Sequence, residues 1–114
     1  MSQIYEMYLD AGPFALISSG KKVIEMRLNK NNRDQIVPGD YIIFTVKNTI
    51  KTLKVLVKSV SKFKNFDELY RNFDKEKLGY SFDEDADPKD MLTYYKQEDI
   101  DKYGVLAIEI EVVE

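Results

Sequence analysis

Hydrophobic and polar positions alternate with a period of two along much of this chain, which is the pattern of strands buried on one face. In "IYEMYL" the alternation sets Ile4, Glu6 and Tyr8 on one face and Tyr5, Met7 and Leu9 on the other. "AGPFALISSG" breaks the pattern and predicts a short helix directing Phe14 and Ile17 to the core. Pro13 suits its first position, and Gly20 the left-handed residue just past its end. "KVIEMRL" predicts a second strand, with Ile24, Met26 and Leu28 facing the core. Val23, Glu25 and Arg27 share the opposite face. "NKNNRDQ" is a polar loop, and "VPGD" a turn in which Gly39 accepts a positive φ. "YIIFTV" is apolar enough for a strand buried on both faces. "TLKVLVKSV" alternates again, with Leu53, Val55 and Val57 inward and Lys54 and Lys58 outward, so the pair predicts a hairpin with "KNTIK" at its tip.

The period changes to helical in "NFDELYRNFDKEKLG". Asn65 is a good N-cap with Glu68 three residues on, Phe66, Leu69, Tyr70 and Phe73 form one stripe, and Gly79 ends the segment. "DPKDMLTYYKQEDIDKYG" predicts one or two short helical turns. "VLAIEIEVV" is a last strand with Leu106, Ile108, Ile110 and Val112 inward. Strands outnumber helices and do not alternate regularly with them, which argues against a doubly wound parallel sheet. The expected fold is α+β, mainly β: a small curved barrel of mostly antiparallel strands with short helices packed at its ends. With 114 residues, the whole span 1–114 is expected to form a single domain.

Composition narrows the chemistry. The chain has no cysteine and no histidine, which removes disulfides, thiolate zinc sites, cysteine nucleophiles and the usual general base. No cofactor and no metal site is expected. "DEDADPKD" spaces Asp83, Asp85 and Asp87 as in a calcium loop, but Pro88 stands where that loop needs glycine and Tyr94 where it needs a bidentate glutamate. No signal peptide and no membrane-spanning run is evident, so a cytoplasmic protein with no membrane partner is expected. The net charge of −3 argues against coating nucleic acid by bulk charge. The charge is uneven, however: residues 21–33 and 47–64 are basic, which allows a local basic cleft.

Candidate chemistry concentrates in "GKKVIEMR". Lys21 and Lys22 follow a helix end, where carbonyls attract cations. Arg27 adds a fork suited to phosphate or carboxylate. The plain alternative is a solvated strand face on which Glu25 and Arg27 pair with neighbours.

The ordered set "ISSGKK", "VIEMRL", "VPGDYIIF", "FKNFDELY", "YY" with Glu98, and "VLAIEIE" resembles the ASCH domain family, a PUA-like β-barrel family, over roughly residues 7–113. The resemblance implies a cleft beside the second strand suited to RNA or a nucleotide-like small molecule. Lys21, Lys22, Glu25 and Arg27 would lie on one wall, with Tyr94, Tyr95 and Glu98 opposite. In that reading the cations hold anionic oxygens, a tyrosine stacks on a base, and Glu25 orients Arg27 and reads a polar edge. One branch of the family resembles amidohydrolases that deacylate acetylated cytidine with a Lys-activated Thr. Here Glu25 occupies the expected Thr position. The alternative reading is therefore a hydrolase acting on a modified nucleoside or on single-stranded RNA, with Lys22 as a base and Glu25 or Glu76 directing a water. For "YY" the competing reading is core packing, because Met91, Leu92 and Tyr95 also fit a helical stripe. The oligomeric state is left open.

Overall fold

The computed structural model of the chain describes residues 2–113. Five strands form one sheet: β1 (Ile4–Leu9), β2 (Ile24–Leu28), β3 (Tyr41–Val46), β4 (Thr52–Phe63) and β5 (Val105–Val112). Their spatial order is β1-β3-β4-β5-β2, with β1 and β3 parallel and every other pair antiparallel. The expected mainly-β, curved architecture is what forms. Three short α-helices accompany it: α1 (Ala11–Ser18), α2 (Phe66–Arg71) and α3 (Gln97–Tyr103). None is long and apolar enough to cross a membrane.

The sheet curls until its two edges nearly meet. In a flat sheet of five strands the outer pair would lie roughly 19 Å apart. Here Arg27 of edge strand β2 donates from Nη2 to the Tyr8 carbonyl of edge strand β1 at 2.9 Å. One source of the curl is a bulge in β4, where the register against β5 shifts between Val57 and Ser59; such an extra residue bends a strand and increases its twist.

Curling separates two apolar cores. Met7, Leu9, Phe44, Val55 and Ile108 fill the concave side, closed by Phe14 and Ile17 of α1. On the convex side Ile24, Met26 and Leu28 of β2 pack with Val105 and Ala107 against Phe66, Leu69, Met91 and Ile100. The apolar face of β2 therefore does bury, but under the helices. Its other face, bearing Glu25 and Arg27, looks into the hollow of the barrel beside Ile108 and Leu106.

Several expectations change in detail. Pro13 is the third residue of α1 rather than its first, while Gly20 does take a left-handed φ of 81°. Strand β3 alternates between buried and half-buried residues instead of burying both faces. On β5, Val112 is exposed, and Val105 and Ala107 are buried because helices cover that end of the strand. The predicted long helix stops at Arg71 and resumes as a 3-10 turn over Lys75–Leu78. The Asn72 side chain donates to the Glu68 carbonyl at 2.8 Å, a local bond that competes with helix continuation. The break turns Phe73 edge-on to Phe63 and lets Leu78 bury. Asn65 caps α2 as expected, its Oδ1 accepting from the Glu68 N–H at 2.9 Å.

Candidate functional site

Where the sheet edges approach, a cleft of about 470 Å³ opens. One side comes from β1 and the start of α1, including Glu6, Tyr8, Asp10 and Pro13. The floor is Lys22, Glu25 and Arg27, and the far side is Met91, Thr93, Tyr94 and Tyr95. Arg33 and Lys47 complete the rim.

The floor is a buried ion triad. Glu25 is only 2% exposed. Its Oε2 accepts from Arg27 Nε at 2.6 Å, and its Oε1 lies 3.4 Å from Lys22 Nζ. Burial alone would raise the Glu25 pKa, but the Lys22 ammonium and the Arg27 guanidinium outweigh it and hold the carboxyl below its ordinary value. Each carboxylate oxygen faces one cation, so Glu25 braces both Lys22 and Arg27. Arg27 is fixed from both sides, by Glu25 and by the Tyr8 carbonyl, and its guanidinium lies 6.0 Å from the Phe44 ring centre. The stem of Lys22 runs beside Gly79, where an added Cβ would stand 3.2 Å from Lys22 Cδ.

The opposite wall is anchored by a hydroxyl network. Tyr80 Oη bonds Asp90 Oδ2 at 2.9 Å and Tyr70 Oη at 2.8 Å, tying the 3-10 segment Pro88–Thr93 to α2. Burial, the bond to Tyr70 and then the Asp90 carboxylate push the Tyr80 phenol far up, so it stays a neutral donor. Beyond this segment the two tyrosines diverge. Tyr95 stacks on Phe66 with ring centres 6.0 Å apart, and burial raises its phenol. Tyr94 is 51% exposed and offers its ring to the cleft.

Of the residues singled out in the sequence, Lys22, Glu25, Arg27, Tyr94 and Tyr95 come together around this cleft. Lys21 and Glu98 do not: both are exposed and outside its lining. Lys21 sits in the bend that follows α1 and is exposed to solvent. Glu98 lies in the first turn of α3, on a solvent-facing position. Glu76 is likewise exposed and away from the cleft. Sequence reading missed Arg33, Lys47 and Asp10. Lys47 and Asp10 form an exposed rim pair at 3.2 Å. Arg33 comes from the polar loop, half-buried, and enters a 3-10 turn directly after Asn31 and Asn32, both left-handed with φ of 59° and 62°. Two adjacent asparagines, which tolerate that conformation, were the available signal. Among the described residues no group of three or more His, Cys, Asp or Glu side chains is placed to hold a metal ion.

The family model for the ASCH domain matches residues 7–114. Among solved structures, hypothetical protein PH0355 superposes with a TM-score of 0.81 at 36% identity, covering 96% of this chain and 99% of that one. Protein PF0455 from Pyrococcus furiosus gives 0.73 at 35% identity, covering 97% and 98%. The ZmASCH S128A mutant protein from Zymomonas mobilis shares the fold at 13% identity, with a TM-score of 0.65 over 95% of this chain and 67% of that one. No curated protein matches the sequence.

Proposed function

Because the chain belongs to the ASCH domain family, we propose that it binds a nucleotide or a short single-stranded RNA segment in the cleft between β1 and β2. The observation that carries this reading is the exposed ring of Tyr94 beside a floor of fixed cations. A base has an aromatic face and a phosphate an anionic one, and a site offering both partners at once suits a nucleotide. Lys22 and Arg27 hold anionic oxygens. Glu25 orients Arg27 through its Oε2 from the floor of the cleft. Tyr94 stacks, and Tyr95 supports it from behind through Phe66. The protein's net charge of −3 disfavours long duplexes, whose many phosphates would meet the acidic remainder of the surface.

Fluorescence anisotropy with short labelled single-stranded RNA tests this. Wild type binds at low salt with a shallow salt slope, about −0.7 per phosphate contacted. Tyr94→Ala loses roughly tenfold or more in affinity, as expected for one stacked base. Lys58→Ala, on the outer surface of β4, leaves it unchanged. Absence of binding at low salt, or a Tyr94→Ala variant as tight as wild type, would overturn the reading.

A further inference from the structure

We propose that the cleft selects a terminal phosphate, a phosphomonoester at the end of a nucleotide or RNA, and that Arg33 with the free side of Arg27 grips it. This rests on the nucleotide reading above and specifies which part of the ligand is recognised.

The charges in the cleft do not balance. Glu25 is shared by Lys22 and Arg27, so the triad keeps one surplus positive charge. Lys47 and Asp10 cancel at the rim. Glu6, the remaining carboxylate of the lining, is exposed at the mouth, where water screens it. Arg33 is half-buried, and among the described residues its guanidinium forms no ion pair and donates no hydrogen bond. Burial first, and then the charge of Arg27, depress its pKa, with Tyr95 and Glu25 offsetting only part of that effect. Buried charges are normally compensated, and a half-buried Arg33 without an ion pair, on the same cleft as a triad with one surplus positive charge, is therefore a site for an anion.

The missing partner is doubly charged. A phosphodiester carries one negative charge, whereas a phosphomonoester carries about 1.5 to 2 at neutral pH and presents three acceptor oxygens. The surplus of the triad and the charge of Arg33 together match the monoester. Geometry supports the same choice. Arg27 is held by Nε and Nη2, which leaves Nη1 free and its direction set before any ligand arrives. Arg33 follows two consecutive left-handed asparagines, and its side chain lines the same cleft as Arg27. A cavity of about 470 Å³ is of the size that takes one small ligand rather than a strand passing through.

The test uses the full chain and randomised RNA trinucleotides in three forms: phosphate at the 5′ end, phosphate at the 3′ end, or hydroxyls at both. Calorimetric titration is expected to show at least tenfold tighter binding for one phosphorylated form over the hydroxyl-ended form, and the two arms identify which end is read. Arg33→Gln is expected to shrink that preference below threefold while the folded state, followed by near-UV circular dichroism, is unchanged. Arg33→Lys, which keeps the charge but not the fork, retains an intermediate preference. Tyr94→Ala weakens all three forms alike and leaves the preference in place. Equal binding of the three forms by wild type, or an undiminished preference in Arg33→Gln, would overturn this inference alone. Absence of binding by every form would overturn the nucleotide reading as well.

Discussion

Replacing Glu25 with glutamine tests whether the triad is truly sheltered. The substitution keeps side-chain volume and removes the negative charge between Lys22 and Arg27. In the fold the three side chains are 3%, 10% and 11% exposed for Glu25, Lys22 and Arg27. Removing one partner of a buried pair leaves uncompensated charge and costs about 3 to 5 kcal/mol. The lower end applies here, because each cation keeps a tenth of its surface in water and Arg27 keeps the Tyr8 carbonyl. For 114 residues, unfolding entropy scales to roughly 240 cal/mol/K, so 1 kcal/mol moves the melting midpoint by about 4 °C. Glu25→Gln should therefore melt about 12 °C below wild type in differential scanning calorimetry. Lys47→Ala, which breaks the exposed pair with Asp10, should lower it by about 4 °C at most. The pH dependence has a definite sign. The folded Glu25 carboxyl sits below its unfolded value, so its contribution is complete above the ordinary carboxylate range and is lost as pH falls through the lowered folded value. The difference between wild type and Glu25→Gln should thus be large at pH 7 and shrink below about pH 4. Melting of Glu25→Gln within about 2 °C of wild type at pH 7 would show that the triad lies in bulk solvent, and the cleft would lose its floor.

Gly79→Ala places a Cβ at φ 104°, 3.2 Å from Lys22 Cδ, and should lower the midpoint by about 4 to 8 °C through strain and displacement of Lys22; an unchanged calorimetric midpoint would contradict it. Asn65→Ala removes the cap on the Glu68 N–H and should cost about 1 kcal/mol, read as a lower urea midpoint at unchanged slope.

Much of the local structure was legible in the amino-acid sequence because it depends on neighbours a few residues apart. Strands β1, β2 and β4 follow from alternation. The left-handed glycines at 20, 39 and 79 follow from turn chemistry, and Asn65 from capping. That Glu25 and Arg27 share a face is likewise a consequence of strand geometry alone. The break after Arg71 was not read from the sequence: the stripe of Phe66, Leu69, Tyr70 and Phe73 fits a continuous helix, whereas Asn72 bonds back to the Glu68 carbonyl and Phe73 turns edge-on to Phe63 on a neighbouring strand.

What the shared face of β2 looks at was decided by tertiary structure. The apolar side of the strand turned outward because α2, α3 and the Pro88–Thr93 segment supply a second core there. The charged side turned inward because the sheet curls until Arg27 meets Tyr8, nineteen residues away in sequence. The same fold brings Arg33 to the cleft that Arg27 lines, while Lys21 and Glu98 stand outside it. Period-two alternation says which side chains travel together. Whether they end in water or in a hollow depends on pairing between distant strands and on where the sheet bends, and neither is encoded within a single segment.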